Sequence, residues 1–360
     1  MGILIFVIAL LTLVVIHELG HFLVAKKFGI KVLEFGFGIP PMIWGKKIGE
    51  TLVSINWLPI GGFVRLMGED ENPKIVPKEN EKGRDYRFKP VGQRIAVVVA
   101  GVVMNMVLAW VLFYGVLALQ NWRIIYPVSE PVVAVSFVEE HFPAQKAGLQ
   151  AGDVIKKVDG IEVVSAKELT DIIKSKPDTP IILEIADLDG NQAHIINVTP
   201  VKNVDGEGKI GVALSPIPFK EYKTTQERLF SGMTYSWDIT KLTFGGLGKL
   251  FSDIGNRNFD KASDSVAGPV GLAVQSEGIL RLGITTYLWF MGILSLSLAI
   301  FNFLPLPALD GGRLFFLYIE AIFGKKVSAE MENKVHSVGM VVLLALAAII
   351  AFSDIQKYIL

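Results

Sequence analysis

The first long apolar stretch of the chain, Ile3 to Ala25, is interrupted at His17, Glu18 and His21, and no other feature constrains the molecule as much. A helix needs roughly 20 mostly apolar residues to cross a bilayer, and this stretch supplies them. An ionisable side chain inside such a span costs about 3 kcal/mol on insertion scales. Three of them within five residues require compensation from a metal ion, from one another or from a water-filled cavity, which disfavours a purely structural role.

Three further spans are expected at Ile95 to Leu119, about Ile284 to Leu304 and about Val338 to Phe352, the last short enough to be tilted or partly sheltered. Hydrophobic residues make up 51% of the 360 and charged ones 19%, and the mean hydropathy is +0.47. That is too apolar for an ordinary soluble chain of this length. A cleaved signal peptide fits the first span poorly, because its positive residues Lys26, Lys27 and Lys31 follow the apolar run instead of preceding it. The expected fold is a multi-pass α-helical membrane protein with four transmembrane helices, residues 1–119 forming the first half of a membrane core and 284–360 the second. Lys26, Lys27, Lys31, Lys46, Lys47, Arg65 and the cluster from Lys74 to Arg94 place the loop after the first span in the cytoplasm. Alternation then puts Gln120 to Gly283 outside it and Pro305 to Ser337 inside. Lys and Arg total 35, balanced by 35 Asp and Glu, so no basic excess points to nucleic acid and the lipid bilayer is the expected partner.

Between the second and third spans the pattern changes. Residues 128–202 show short alternating apolar runs divided by Gly and Asp, the signature of a small α+β domain. Strands are predicted at Val132 to Val138, Val154 to Val158, Ile181 to Ile185 and Ala193 to Val198, a helix from about Ala166 to Lys174, and hairpin turns at Asp159-Gly160 and Asp189-Gly190. The segment AQKAGLQAGDVI, Ala144 to Ile155, closely resembles the equivalent stretch of PDZ domains of bacterial proteases. An inserted, extracytoplasmic PDZ domain is therefore expected; such domains commonly add a peptide to a sheet edge. Residues 217–283 read as an amphipathic membrane-surface segment, with Leu229, Met233, Trp237, Leu242, Leu247, Leu250 and Phe251 set among Lys, Asp and Arg.

His17 and His21 stand four apart in HELGH, so a helix carries both imidazoles to one face, within reach of a common Zn²⁺, and Glu18 lies beside them to activate water. Two histidines and a water leave a tetrahedral site one protein ligand short. The chain has no cysteine, so that ligand is a histidine or a carboxylate. Of the other histidines, His141 and His194 belong to the external domain, on the wrong side of the bilayer, which leaves His336 or a carboxylate. Asp310 is the better candidate: it follows NFLPLPAL, Asn302 to Leu309, where Pro305 and Pro307 should break the third span, and irregular backbone at membrane depth needs a protein or cavity around it. Taken alone, Asp310-Gly311 reads as an ordinary turn.

HELGH in the first span, NFLPLPALDGG after the third and the PDZ-like domain between them closely resemble the site-2 proteases of the bacterial RseP type, along essentially the whole chain. The resemblance implies an intramembrane zinc metalloendopeptidase of a bacterial inner membrane, its active site towards the cytoplasmic side. Its substrates would be single-span membrane proteins cut within the membrane, of the anti-sigma factor or remnant signal peptide type. It implies His17, His21 and Asp310 as zinc ligands, Glu18 as general base, and Asn302 as a group holding the substrate backbone or the developing oxyanion. Ser54 to Glu69 resembles the family's membrane-associated cytoplasmic β-hairpin; GPVG, Gly268 to Gly271, and a small-residue face carrying Gly101 and Asn105 are similar too. Some members carry two PDZ domains, whereas the space here accommodates one. Two competing readings are a catalytically silent PDZ-bearing scaffold, which has no use for so costly a set of buried groups, and a metal transporter, for which the internal repeat is missing.

Overall fold

The computed structural model describes residues 2–69, 79–126, 132–186, 193–204, 206–216, 218–256 and 268–358. The chain opens with α1 (Gly2–Lys27), β1 (Val32–Ile48), β2 (Thr51–Leu66), α2 (Val91–Leu119) and β3 (Arg123–Ile125). There follow β4 (Val133–Val138), α3 (Pro143–Lys146), β5 (Val154–Val158), β6 (Ile161–Glu162), α4 (Ala166–Lys174), β7 (Ile181–Ala186) and β8 (Ala193–Val198). Next are β9 (Val201–Lys202), β10 (Gly208–Lys209), β11 (Val212–Ser215), β12 (Phe219–Glu221), α5 (Thr225–Leu229) and α6 (Ser231–Gly255). The chain closes with α7 (Pro269–Arg281), α8 (Ile284–Phe303), α9 (Asp310–Phe323) and α10 (Ala329–Tyr358). Residues 1–116 and 247–360 form one compact unit and 117–246 a second, inserted one.

Among the described residues, four helices are long and apolar enough to cross a membrane: α1, α2, α8 and α10. Lys26 and Lys27 in the last turn of α1 complement the helix dipole, and Gly29, at φ 67°, lets the chain leave. α8 stops at Phe303 because Pro305 and Pro307 cannot continue its hydrogen bonds. The last helix extends well beyond the expected Val338 to Phe352, running 30 residues. Hydropathy registers only its apolar middle, while the polar first turns, with a Glu330–Lys334 pair at 2.8 Å, continue the same helix. Helix α9 departs from expectation: after the prolines the chain starts a new helix at Asp310, whose carboxylate favours a helix N-terminus.

The hairpin also differs from expectation. Ser54 to Glu69 supplies one strand, β2, whose partner β1 comes from Val32–Ile48, so the sheet is much longer than the stretch that resembled it. Phe35 lies opposite both Val53 and Val64, Gly36 opposite Ser54 and Phe63, and Phe37 opposite Ile55 and Gly62. Residues 34–37 are therefore central, and 62–66 form an edge. At the other end Ile48 pairs with Thr51, and Glu50 in this turn meets Lys26 and Arg84, which hold its carboxyl down at about 2. Ile39, Met42, Ile43, Trp44, Trp57 and Leu58 are exposed on the sheet's far half.

In the inserted unit a mixed-length sheet runs β11-β4-β5-β7-β8, with β6 on β5, and is antiparallel throughout. Val133, Val135, Ile155, Leu183 and Ile185 from the strands pack with Leu169 and Ile173 of α4. Ser165 caps α4 by accepting from the Glu168 N–H. Asp159 and Gly160 turn β5 into β6 with φ of 50° and 80°, the two left-handed residues of a tight hairpin. Asp189-Gly190 lies outside the described residues. The sheet extends past the expected end at Lys202, because β11 pairs with β4. The amphipathic stretch becomes α5 and α6, with Met233, Trp237, Phe244 and Phe251 exposed.

The GPVG stretch begins α7. The buried Asp354 of α10 accepts from the Gly268 N–H at 3.3 Å and the Gly271 N–H at 2.8 Å, capping α7 from a neighbouring helix. A Cβ on Gly268 would stand 2.6 Å from that carboxylate, so the approach requires glycine. Asp354→Ala removes a charge-assisted cap and should lower stability by about 1–2 kcal/mol. Thermal unfolding of the two proteins in the same detergent measures it.

Candidate active site

Helix α1 presents its two histidines to the same point as the first residue of α9. His17 Nε2 lies 2.8 Å from Asp310 Oδ2, His21 Nε2 lies 3.1 Å from the same oxygen, and the two Nε2 atoms are 3.2 Å apart. His17 is 7% exposed and His21 9%. These are the three donors expected from the sequence, and no other group of three or more possible metal-holding side chains occurs among the described residues. His141 and His194 belong to the inserted unit. His336 is not a fourth donor, for its Nδ1 accepts the Ala308 N–H at 3.0 Å.

The triangle suits zinc. Ligand atoms about 2.1 Å from a tetrahedral ion stand roughly 3.4 Å apart, and the observed edges are slightly shorter, so modest spreading admits the ion. The hydrogen bonds behind the rings agree. His21 donates its Nδ1–H to the Val97 carbonyl at 2.8 Å, so a neutral His21 turns a lone pair at Nε2 towards an anionic oxygen. Facing lone pairs need a cation between them, a proton or a metal ion. Behind His17, the fully buried Asn105 brings its amide nitrogen to 3.4 Å from Nδ1, while its amide oxygen has no partner among the described residues. Reversing that amide, whose nitrogen and oxygen are interchangeable in shape, would let the oxygen accept an Nδ1–H and leave Nε2 free to bind a metal.

Close helix contact makes this possible. A Cβ on Gly20 would meet the Ala100 carbonyl oxygen at 2.3 Å, and one on Gly101 would meet His21 Nε2 at 2.5 Å and His17 Cε1 at 2.7 Å. Small residues let α1 and α2 pack backbone to backbone, as in other membrane helix pairs. Ser295 of α8 donates to the Asn105 carbonyl at 2.8 Å, fastening the third helix. The glycines after Asp310 have a similar cause: a Cβ on Gly311 would run into the Leu304 carbonyl and one on Gly312 into that of Leu306.

Glu18 lies outside the triangle, beside it. Its carboxylate accepts the Val64 N–H, and a Cβ on Gly62 would touch its Cγ at 3.4 Å, so the edge strand 62–66 of β2 runs past the carboxylate. Asn302 is half-buried in the last turn of α8, and its amide makes no hydrogen bond among the described residues. Next to the 304–309 break is a cavity of about 710 Å³, lined by Glu69, Arg94, Ala308, Arg313, Glu320 and His336 among others. Arg94–Glu320 and Arg313–Glu69 ion pairs cross its wall. Tyr86, also on the wall, has its hydroxyl pushed far above the usual range by burial.

The sequence profile of peptidase family M50 matches residues 5–346. The chain belongs to this family. A zinc metalloprotease RasP from Geobacillus kaustophilus is 31% identical over 99% of this chain and 98% of its own. The regulator of sigma-W protease RasP of Bacillus subtilis is 29% identical over 99% and 98%. A chloroplastic membrane metalloprotease, ARASP, of Arabidopsis thaliana is 32% identical over 96% of this chain and 76% of its own. A PDZ domain of an SdrC-like protein from Listeria monocytogenes is 27% identical over 24% of this chain and 92% of that one, with a TM-score of 0.22, too low to bear on the fold. As an M50 peptidase the chain is a zinc metalloendopeptidase located in a membrane, and membrane proteins are its substrate class.

Sequence reasoning singles out every residue of the triangle, together with Glu18. It treats Gly101 and Asn105 as a packing face, although the same GxxxN spacing on one side of α2 sets Gly101 against both histidine rings and Asn105 behind His17. It has no signal for Val97, which acts through its carbonyl.

Proposed function

We propose that this peptidase cuts single-span membrane proteins within their membrane-spanning segment, with His17, His21 and Asp310 holding the zinc and Glu18 as general base. The observation that carries this reading is the convergence of two Nε2 atoms and one carboxylate oxygen within 3.2 Å of one another beside Glu18. When bound, zinc supplies a Lewis acid that polarises the scissile carbonyl and makes water a stronger acid.

The protein's own residues do the rest. Glu18 takes the proton of the attacking water and delivers it to the leaving nitrogen, its carboxylate aimed by the Val64 N–H. A helical substrate hides its peptide bonds, so it must be extended; the 62–66 edge beside Glu18 offers backbone groups to hold it so. The Asn302 amide is available to the carbonyl oxygen as charge develops. Water is expected to enter from the side of the cavity next to the 304–309 break, whose wall carries Glu69, Arg94, Arg313 and Glu320. The exposed Trp44 and Trp57 of the sheet enter the lipid interface.

The basic loop between α1 and α2 favours a cytoplasmic side for the site and an outer side for the inserted PDZ-like unit, and the bacterial RasP relatives favour a bacterial inner membrane. The sigma-W role in the name of the Bacillus relative favours an anti-sigma factor as substrate here, with remnant signal peptides as a second kind.

Full-length protein in detergent, incubated with single-span substrates truncated on the outer side, should cut within the span. Cleavage should stop on chelation and return with added zinc. Cutting only outside the span, or unaltered by chelation, refutes the reading.

A further inference from the structure

His336, weighed from the sequence as a ligand, has no place in the chemistry proposed above, yet it touches the loop that delivers Asp310. Its Nδ1 accepts the N–H of Ala308 at 3.0 Å, two residues before the carboxylate. Ala308 has φ 73°, a left-handed conformation that a residue with a Cβ adopts only at a cost. The prolines on either side of Leu306 cannot donate, so the Ala308 N–H is one of the few groups by which this break can be fastened. One turn further along α10, a Cβ on Gly339 would stand 2.2 Å from Pro307 Cβ, so the helix is pressed directly against the loop. The His336 ring also lies 6.1 Å from that of Phe316 on α9, and a Cβ on Gly312 would be 3.2 Å from its Cε1. The imidazole is thus wedged between the loop and the first turns of the helix that Asp310 begins.

We propose that His336 is a positioning residue: it holds Ala308 in the left-handed turn that aims Asp310 at His17 and His21, and so sets the affinity of the metal site without contacting the metal. His336 Nε2 has no partner among the described residues, so Nδ1 is the atom that matters. This rests on the proposed zinc set.

The test is zinc affinity of the full-length protein by chelator competition, with the visible spectrum of the cobalt-substituted protein reporting coordination geometry. His336→Leu should weaken zinc binding by about 10-fold or more, the usual effect of losing support behind a ligand, and distort the cobalt bands while helix content is unchanged. His336→Asn places its amide oxygen where Nδ1 was and should stay near wild type; His336→Gln reaches the Nε2 position instead and should behave like Leu. Adding Ala308→Gly to His336→Leu should recover most of the loss, because glycine adopts the left-handed turn unaided. The proposal is overturned if His336→Leu binds zinc as the wild type does, if Asn and Gln behave alike, or if the glycine recovers nothing. If the wild type holds no zinc, the ligand set fails first and this role falls with it, an outcome distinct from a tight wild type with indifferent variants.

Discussion

Glu18→Gln is expected to lower the cleavage rate by about 10³-fold, roughly 4 kcal/mol of barrier, and to leave bound zinc unchanged. Glutamine has the same shape and keeps an oxygen to accept the Val64 N–H, so the edge strand and the helix are undisturbed. What it lacks is a site that can take a proton from water and return it. On the proposed ligand set the three donor atoms come from other residues, so metal content should be insulated from the change. Initial rates on a truncated single-span substrate, together with zinc per chain by elemental analysis, separate the two effects. A variant that loses its zinc would assign Glu18 to metal retention, and one that still cuts at the wild-type rate would require another base.

The spans and the triangle can be read from the sequence because both depend on local rules. Apolar length marks a crossing helix, and an i, i+4 histidine pair faces one way wherever it lies. Asp310 follows from the same logic extended once, since an incomplete ligand set inside a membrane has few ways to be completed. The parts that escape depend on chain crossings which no local rule encodes. The true extent of the hairpin is hidden because β1, Val32–Ile48, contains Gly-Phe-Gly and Pro-Pro interruptions that read as loop, yet 34–37 find partners on both sides. Helix α9 is hidden by the prolines before it, and the full length of α10 by its charged first turns. Asp354 offers no sign that it caps a helix more than 80 residues earlier. His336 invites a ligand role because residue type suggests chemistry, whereas its neighbour in space is a backbone N–H.

Gly101→Ala is expected to weaken zinc binding and cleavage by at least about 10- to 100-fold, although alanine is the better helix former by about 1 kcal/mol. The new Cβ would stand 2.5 Å from His21 Nε2 and 2.7 Å from His17 Cε1, about 1 Å inside ordinary contact. Neither ring can easily retreat. His21 is tied through Nδ1 to the Val97 carbonyl on the same helix as the intruding methyl, and His17 faces Asn105 one turn beyond. Nor can the helices separate cheaply, because Gly20 already rests on the Ala100 carbonyl and a shift there would open the whole contact. The strain therefore falls on the donor triangle, whose edges of 2.8, 3.1 and 3.2 Å must widen to take the ion and are crowded further by the methyl. Gly115→Ala is the control: it lies on the same helix, where an added methyl would meet nothing within 4 Å, and should gain helix propensity while binding zinc normally. If the two variants bound zinc equally well, the rings would have to move freely, and the contact between α1 and α2 could not be what shapes the metal site.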